Sequence, residues 1–563
     1  MTMSSDARIP STLIHRLYTQ KSDVGWLLSA VCIALLLSIP IFSVLSSIFF
    51  PASEVWQHLK STVLAEYIRN SLVLVLGVSL GTLLLGVPTA WLCSVCQFPG
   101  RKLFSWALLL PLAFPPYIIA YTYTGLLDFA GPLQTYLRTL FDWQYGDYWF
   151  PEVRSISGAI VMFSLVLYPY VYLLARTAFA EQSASLREAS HSLGMGLRET
   201  FLLIAFPLAR PAIVAGLTLV IMETLADYGT VQYFGIPTFT TGIFRTWFGF
   251  GDRIAATQLA SILLLTIFAL ILIERWTRQP ERFQGQSKGT DVWSYALSGR
   301  EAIFAVLFCS LPILLGFFVP GIQLVSWAIK TAPDVIDRSF FMLILNTVRL
   351  AVIAALLVVI CATLLAYAKR VSKQFAIPYA VNISAMGYAV PGVVIAVGVL
   401  LPFAWLDNFV DAWLQMHFGI STGLLITGTL TALVFAHVVR FLALGLNSVE
   451  ANLAKIHRSI DDVAQLLGHK TLNRFLSVHL PLIRSGVLIA GLLVFVEVIK
   501  ELPATLVLRP FDFNTLAVRT FELASDERLA DSASSALIIV AVGILPILIL
   551  NRSITKATLP HGT

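Results

Sequence analysis

The sequence contains a long apolar stretch at residues 343–368, LILNTVRLAVIAALLVVICATLLAYA. Its only charged side chain is Arg349, and as a helix it would be roughly 39 Å long at about 1.5 Å per residue. Because the hydrocarbon core of a bilayer is about 30 Å thick, this stretch predicts a helix that crosses a membrane.

The whole chain is also rich in hydrophobic residues and poor in charged ones. Of the 563 residues, 57% are hydrophobic and 12% are charged, whereas a soluble domain carries about 25% charged residues. This leaves too little polar surface to cover a globule in water, which excludes a soluble enzyme. The sequence therefore predicts an all-α, polytopic membrane protein.

Twelve apolar stretches of this kind occur, six on each side of a polar segment from Glu274 to Glu301. We expect membrane-spanning helices at about 25–48, 70–95, 103–125, 156–176, 211–226, 256–273, 302–328, 343–368, 376–403, 421–439, 485–499 and 535–551. The first stretch is too long for a signal peptide and lacks a cleavage site, so we expect it to remain as an anchor.

Basic residues set the orientation, because Lys and Arg accumulate in cytoplasmic loops. With the N-terminus in the cytoplasm, most of the 38 Lys and Arg fall on that side, including Arg101, Lys369 and Arg552. We therefore predict that both termini are cytoplasmic. The formal charge of +6 is a property of this topology and does not indicate nucleic acid as a partner.

The two halves of the chain are related in sequence. Glu188-Ala189-Ser190 precedes Gly194 and Pro207, and 274 residues later Asp462-Val463-Ala464 precedes Gly468 and Pro481. Because each half has six spans, the halves predict a parallel repeat with a pathway at their interface. We expect the first repeat at 1–274, a cytoplasmic linker at 275–300 and the second repeat at 301–563.

A short cytoplasmic helix is predicted between spans four and five of each half, at about 185–194 and about 459–468. Each starts with a serine and an acid at capping-box spacing, Ser185 with Glu188 and Ser459 with Asp462. Each ends at a glycine suited to the left-handed conformation. A second amphipathic helix follows and is expected to stop at Pro207 or Pro481. One such helix could lie on lipid, but two with the same spacing favour a surface that docks onto a partner.

This duplicated motif resembles the cytoplasmic loop of the permease subunits of binding-protein-dependent ABC importers. The resemblance implies the type I permease fold, with the two short helices as coupling helices seated on ATP-binding subunits. The docking positions that it implies are Glu188, Ala189, Gly194 and Pro207 in the first copy, and Asp462, Val463, Gly468 and Pro481 in the second. Asp462 keeps the charge of the family's glutamate, whereas Val463 replaces its alanine.

Fusion of two permease copies resembles the ferric-iron permeases, and some thiamine permeases are built likewise. KELPATLVLRP at 500–510, FNTLA at 513–517 and ADYGTV at 226–231 look most like the ferric-iron branch. The resemblance implies that ferric iron moves by alternating access through the bacterial inner (plasma) membrane. It also implies two copies of an ATP-binding subunit on the cytoplasmic side.

A periplasmic binding protein is the other partner that the resemblance implies. We expect it to deliver iron to the external loops 126–155 and 227–255 and to their counterparts 404–420 and 501–534. A permease for another substrate such as thiamine, an ATP-independent secondary transporter and a multi-pass membrane enzyme are the alternatives.

No catalytic, cofactor-binding or metal site is predicted. Gly468-His469-Lys470-Thr471 lacks the glycine that precedes lysine in a phosphate-binding loop, so ATP hydrolysis is expected on a separate subunit. Cys93 and Cys96 form a C-x-x-C pair, but no second Cys or His pair lies nearby to complete a tetrahedral metal site. We interpret both as packing thiols.

Two acids in or beside the fifth span of each half recur with the repeat, four in all. Glu223 and Glu497 each lie about 20 Å along the helix from the preceding arginine, and Asp227 and Glu501 lie about 6 Å further, at the outer mouth. Acids in a membrane are functional candidates for a pathway or gate. The alternative is that they form salt bridges at the helix ends, for example with Lys500.

Overall fold

The structure, a computed structural model, describes residues 11–144, 146–182, 192, 194–277, 295–372, 374–469 and 471–558. It is 83% helical, which confirms the predicted all-α class. Within these residues the strands are β1 (Cys96–Gln97) and β2 (Tyr295–Ala296), which pair in parallel with Cys96 beside Tyr295. Cys93 and Cys96 are buried and free.

The helices up to residue 277 are α1 (Ser11–Ser46), α2 (Glu54–Thr62), α3 (Leu64–Val95), α4 (Arg101–Ala107), α5 (Pro116–Leu127), α6 (Pro132–Phe141), α7 (Ile156–Glu181), α8 (Leu197–Thr200), α9 (Phe206–Ala226), α10 (Gly229–Tyr233), α11 (Phe239–Phe244) and α12 (Arg253–Thr277). Short 3₁₀ segments occupy Ser47–Phe49 and Leu110–Ala113, and π-helical segments occupy Phe201–Ala205 and Arg245–Gly249.

The helices from residue 299 onward are α13 (Gly299–Ile313), α14 (Val319–Val335), α15 (Arg338–Val371), α16 (Ala376–Ser384), α17 (Gly392–Phe418), α18 (Leu430–Leu453), α19 (Arg458–Leu466), α20 (Thr471–Arg474), α21 (Leu480–Lys500), α22 (Pro503–Leu508), α23 (Leu516–Ser525) and α24 (Leu529–Thr558). A 3₁₀ segment occupies Ala385–Ala389, and π-helical segments occupy Leu314–Phe318 and Phe475–His479.

Among the described residues, 11 helices are long and apolar enough to cross a membrane. A pair at Arg101–Ala113 and Pro116–Phe141, bent by 88°, brings the number to 12 if it counts as one span. The chain is therefore a multi-pass membrane protein, and the predicted number of about 12 spans agrees with the structure.

Two prolines explain the 88° bend and show that the bounds of one predicted span need correction. Pro115 follows a 3₁₀ segment and holds Phe114 in an extended conformation, and Pro391 does the same to Val390. The predicted span at 376–403 is therefore wrong in its bounds, because a membrane-length helix begins only at Gly392. The same helix runs on to Phe418, so most of the predicted external loop 404–420 is helical.

The expected helix stops at Pro207 and Pro481 are also wrong. In each half, one helical stretch contains a π-helical segment that ends two residues before the proline, and it continues as a span, Arg198–Ala226 in the first half and Thr471–Lys500 in the second. Proline lacks the N–H that an α-helix uses and clashes with the preceding turn, and a locally wider turn relieves both problems.

Two units emerge from the contacts within the chain, and each is discontinuous in sequence. One unit contains the described residues up to Ser43 together with Val348–Val390 and Ile395–Val498. Within it the Trp26 ring of α1 lies 5.2 Å from the Tyr367 ring of α15. The N-terminal helix therefore packs against a span from the second half of the sequence.

The other unit contains the described residues of Val44–Thr347, Pro391–Val394 and Ile499–Thr563. At its centre α7 passes close to α3 and α9, because glycines face it on both helices. A Cβ on Gly86 would lie 3.0 Å from the Tyr168 carbonyl oxygen, and a Cβ on Gly216 would lie 2.9 Å from Val171 Cα. Small residues allow such close approach of backbones in membrane helices.

Replacement of Gly216 by alanine is expected to lower the stability of the fold. Alanine favours a helix over glycine by about 1 kcal/mol, but here the added methyl would meet backbone atoms that cannot turn aside, at a cost of about 1–3 kcal/mol. At Gly321, also within a helix, the nearest atom to an added Cβ is 3.9 Å away. Thermal unfolding in detergent should therefore show a lower midpoint for Gly216→Ala and an unchanged or higher one for Gly321→Ala. Equal midpoints would contradict this packing.

Candidate functional site

The short helix of the second copy, α19, lies close to its predicted position. It spans Arg458–Leu466, compared with the expected 459–468. The predicted capping box of Ser459 and Asp462 is wrong, because His457 is the N-cap and its side chain accepts from the Ser459 backbone N–H at 3.3 Å. The Ser459 hydroxyl lies 2.9 Å from the same imidazole nitrogen.

The end of α19 is the glycine cap that the sequence predicts. Gly468 has φ +79°, and its N–H donates to the Gln465 carbonyl at 3.0 Å, while the His469 N–H donates to the Ala464 carbonyl at 3.1 Å. These two bonds define a Schellman motif. Gly194 has φ +77°, so the left-handed conformation is confirmed in both copies.

Apolar side chains on α19 are open to the surroundings. Val463 is 54% exposed and Leu467 is 74% exposed, and both line an open groove of about 270 Å³ with Ile460 and Val478. Asp462 is exposed beside them. An apolar strip with an acid at its edge is a surface suited to a protein partner.

The equivalent helix of the first copy lies outside the described residues, and Glu188 and Ala189 belong to that part of the chain. The described positions from the predicted docking set are Gly194, Pro207, Asp462, Val463, Gly468 and Pro481. Pro207 and Pro481 are both exposed on their helices.

Asp227 and Glu501 have a role that the sequence analysis did not foresee. Each follows the last turn of a span and accepts hydrogen bonds from the first turn of the next short helix, α10 or α22. Asp227 accepts from the N–H groups of Thr230 at 2.9 Å and Val231 at 3.2 Å. Glu501 accepts from the N–H groups of Ala504 at 2.8 Å and Thr505 at 2.9 Å.

A threonine hydroxyl adds to each of these sets, from Thr230 to Asp227 at 3.1 Å and from Thr505 to Glu501 at 2.7 Å. Both acids thus hold a sharp turn at the end of a span by capping the helix that follows. Part of the signal for this was present in the sequence, since an acid at the start of a short helix, with proline in its first turn after Glu501, is a helix-start pattern.

The two acid turns lie against each other. A Cβ on Gly229, in the first turn, would come within 2.8 Å of Leu502 Cδ2 in the second turn and within 2.8 Å of Tyr117 Cβ. Only glycine fits there without displacement of these groups.

Glu223 and Glu497 lie one turn earlier in their helices and are half-buried. Their role in a pathway or in ion pairs stays a prediction.

Two of the predicted external loops are joined by an ion pair. The Arg154 guanidinium donates to the two carboxylate oxygens of Glu527 at 2.7 and 2.8 Å. This bidentate contact holds the pKa of the Glu527 carboxyl below its usual range. The loops 126–155 and 501–534 therefore have a fixed contact within one unit.

Comparison with known proteins adds a family context to this geometry. The chain matches no model of a known protein family. It is 26% identical over 498 residues to the Fe(3+)-transport system permease protein FbpB 2 of Haemophilus influenzae, covering 87% of this chain and 90% of the relative. It is 24% identical over 583 residues to the ferric transport system permease protein FbpB of Actinobacillus pleuropneumoniae, covering 97% of this chain and 80% of the relative.

A shorter relative matches only part of the chain. The molybdenum transport system permease protein ModB of Escherichia coli (strain K12) is 28% identical over 203 residues, covering 35% of this chain and 86% of the relative. The resemblance to ABC importer permeases of the ferric-iron type, noted from the motifs, is thereby confirmed.

Glu501→Ala is expected to destabilise the outer turn. The change leaves two backbone N–H groups and one hydroxyl without their acceptor in a buried place, at a cost of about 1–3 kcal/mol. Asp512→Ala is a matched control, because Asp512 is an exposed acid in the same segment. Thermal unfolding should show a clear loss for Glu501→Ala and almost none for Asp512→Ala. A Glu501→Ala variant as stable as the control would exclude the capping role.

Proposed function

We propose that this chain is the membrane-spanning permease of an ATP-driven ABC importer that moves ferric iron into the cytoplasm. The observation that carries the proposal is the similarity to ferric transport permeases over 87% and 97% of the chain. The partial match to a molybdenum transport permease supports the class of transporter but not the substrate. The multi-pass helical fold is the architecture that this function requires.

The chain consists, in this proposal, of two six-span repeats at 1–274 and 301–563 with a linker at 275–300. The shorter molybdenum permease aligns over most of its own length with 35% of this chain, as expected if one repeat corresponds to a whole permease. The π-helical segments at Phe201–Ala205 and Phe475–His479 recur at the 274-residue offset and support the same division.

ATP hydrolysis takes place on a separate subunit, two copies of which dock onto the helices at 185–194 and 459–468. The exposed apolar strip of α19 and its acid support this docking role for the second copy. Because helix α20 leads into the span that ends at Lys500, movement of the docked subunit is passed directly to a membrane helix. ATP-driven closure then switches the pathway between inward-open and outward-open states.

The chain lies in the bacterial inner membrane with both termini in the cytoplasm. A periplasmic binding protein delivers iron to the external loops at 126–155, 227–255, 404–420 and 501–534. Glu223 and Glu497 line the pathway, whereas Asp227 and Glu501 shape its outer mouth by holding the two turns. Half-burial of the first pair and the capping bonds of the second pair support this division.

Reversal of charge at both docking acids should separate the permease from its ATPase. In Glu188→Lys with Asp462→Lys we expect loss of co-purification of the ATP-binding subunit and of uptake, because two attractive contacts become repulsive. Asp512→Lys reverses one charge on the predicted external side, away from the docking helices, and should retain co-purification of the ATP-binding subunit. Binding that survives the double change would refute the docking assignment.

Uptake by proteoliposomes tests the substrate. The chain, reconstituted with its ATPase and its binding protein, is expected to accumulate labelled ferric ion only when ATP is supplied. The matched arm offers labelled thiamine under the same conditions and should give no accumulation. Thiamine uptake without iron uptake would overturn the substrate, and iron uptake without ATP or ATPase would overturn the class of transporter.

A further inference from the structure

A network of ionisable groups connects the second docking helix, α19, to the membrane helices beside it. At its centre is Asp461, whose carboxylate accepts from Arg370 Nη2 at 2.6 Å and from Arg370 Nε at 3.1 Å. Arg370 lies at the end of the span α15. Both hydrogen bonds go from the planar guanidinium to the same oxygen, Oδ2, and these charge-assisted bonds hold α19 beside the end of this span.

Arg370 also reaches a second span. Its Nη1 donates to the Leu453 carbonyl at 2.6 Å, and its Nη2 donates to the Ile456 carbonyl at 2.9 Å. These carbonyls lie at and just beyond the end of α18, where helix carbonyls lack partners within the helix. One arginine therefore joins α15, α18 and α19.

The stretch that leads into the fifth span contacts Asp461 from another direction. His479 Nε2 lies 2.9 Å from Asp461 Oδ1, and Arg474 Nε lies 3.7 Å from the same oxygen. Arg474 Nη1 also donates to the Asp461 carbonyl at 3.4 Å. His479 is fully buried and the Arg474 side chain is only 11% exposed, so little water competes for these contacts.

The first half of the chain cannot build this network from the equivalent residues. At the 274-residue offset, Arg187 stands for Asp461, Thr200 for Arg474 and Ala205 for His479. At the offset of 276 that relates Asn70 to Asn346, Ser94 stands for Arg370. The central acid is thus replaced by a base, and each of its three partners is replaced by an uncharged residue.

We propose that Asp461 is a positioning residue that fixes the second docking helix to α15, α18 and the fifth span, an attachment for which the first half lacks the equivalent residues. This inference rests on the proposed function, because it concerns how a docked subunit moves the membrane helices. The two docking helices are then unequal: the second moves as one body with three spans.

Neighbouring acids on α19 divide two tasks in this proposal. The Asp461 side chain is 18% exposed and turned toward the network, whereas Asp462 is exposed beside the apolar strip. Asp461 holds the helix in place, and Asp462 meets the partner. The pair offers a matched test, since Asp→Asn at either position removes one charge from the same helix without changing its size.

The test measures hydrogen exchange of the backbone amides of residues 458–469 in the full chain in nanodiscs without partners. For Asp461→Asn we expect exchange in this segment to rise on the order of tenfold, because the attachment that limits local opening is lost. For Asp462→Asn we expect no change in exchange but weaker co-purification of the ATPase. In the reconstituted importer, Asp461→Asn should lower the iron transported per ATP hydrolysed.

Asp461→Glu and Arg370→Lys provide conservative variants that keep the charges, and they should give smaller rises confined to the same segment. If Asp461→Asn prevents folding, these two variants carry the test. Unchanged exchange in Asp461→Asn, or the same changes in both asparagine variants, would overturn the proposal. The exchange measurement needs neither ATPase nor iron, so it tests the role of Asp461 even if the wild-type chain does not transport iron. Conversely, a negative exchange result would refute the role of Asp461 without affecting the proposed transport by the wild-type chain.

Discussion

The hydrocarbon core of a membrane contains no water, so every backbone N–H and C=O group in it must be paired within the protein. This constraint accounts for the almost wholly helical chain and for the places where its helices depart from the α form. Pro207 and Pro481 each follow a π-helical segment, which lets the span continue through the proline. Pro115 and Pro391 instead each follow a 3₁₀ segment and an extended residue, and the helix is interrupted there.

The same constraint explains how far the sequence could predict the fold. Apolar length is a strong signal, so the class and the number of spans follow from it directly. Bounds are a weaker signal, because the apolar stretch at 376–403 continues on both sides of Pro391 and hydropathy does not say which side forms the span. Whether Pro207 ends a helix depends on the turn before it, and the apolar pattern does not distinguish a π-helical turn from an α-helical one.

In the candidate site, the sequence predicted the features that depend only on residues close together in the chain. The left-handed glycines at Gly194 and Gly468 follow from the needs of a helix end and were predicted. The network of Asp461 with Arg370, Arg474 and His479 was not, because Arg370 is far from Asp461 in sequence and only the fold brings them together. The capping roles of Asp227 and Glu501 were only partly predictable. Each acid lies at the start of a short helix, but an acid in a membrane also indicates a pathway or gate, and that was the role predicted.

Some structural features occur in both sequence copies, whereas the Asp461 network is built from residues of the second copy. The turns held by Asp227 and Glu501 occur at equivalent positions of the two sequence copies, so the repeated acid has the same structural role in each. The Asp461 network involves residues of the second half only, and Arg187 at the equivalent position has the opposite charge. Two separate copies of one permease gene product could not differ in this way. In the fused permease that we propose, each half evolves its own contacts, and one docking helix can be held more firmly than the other.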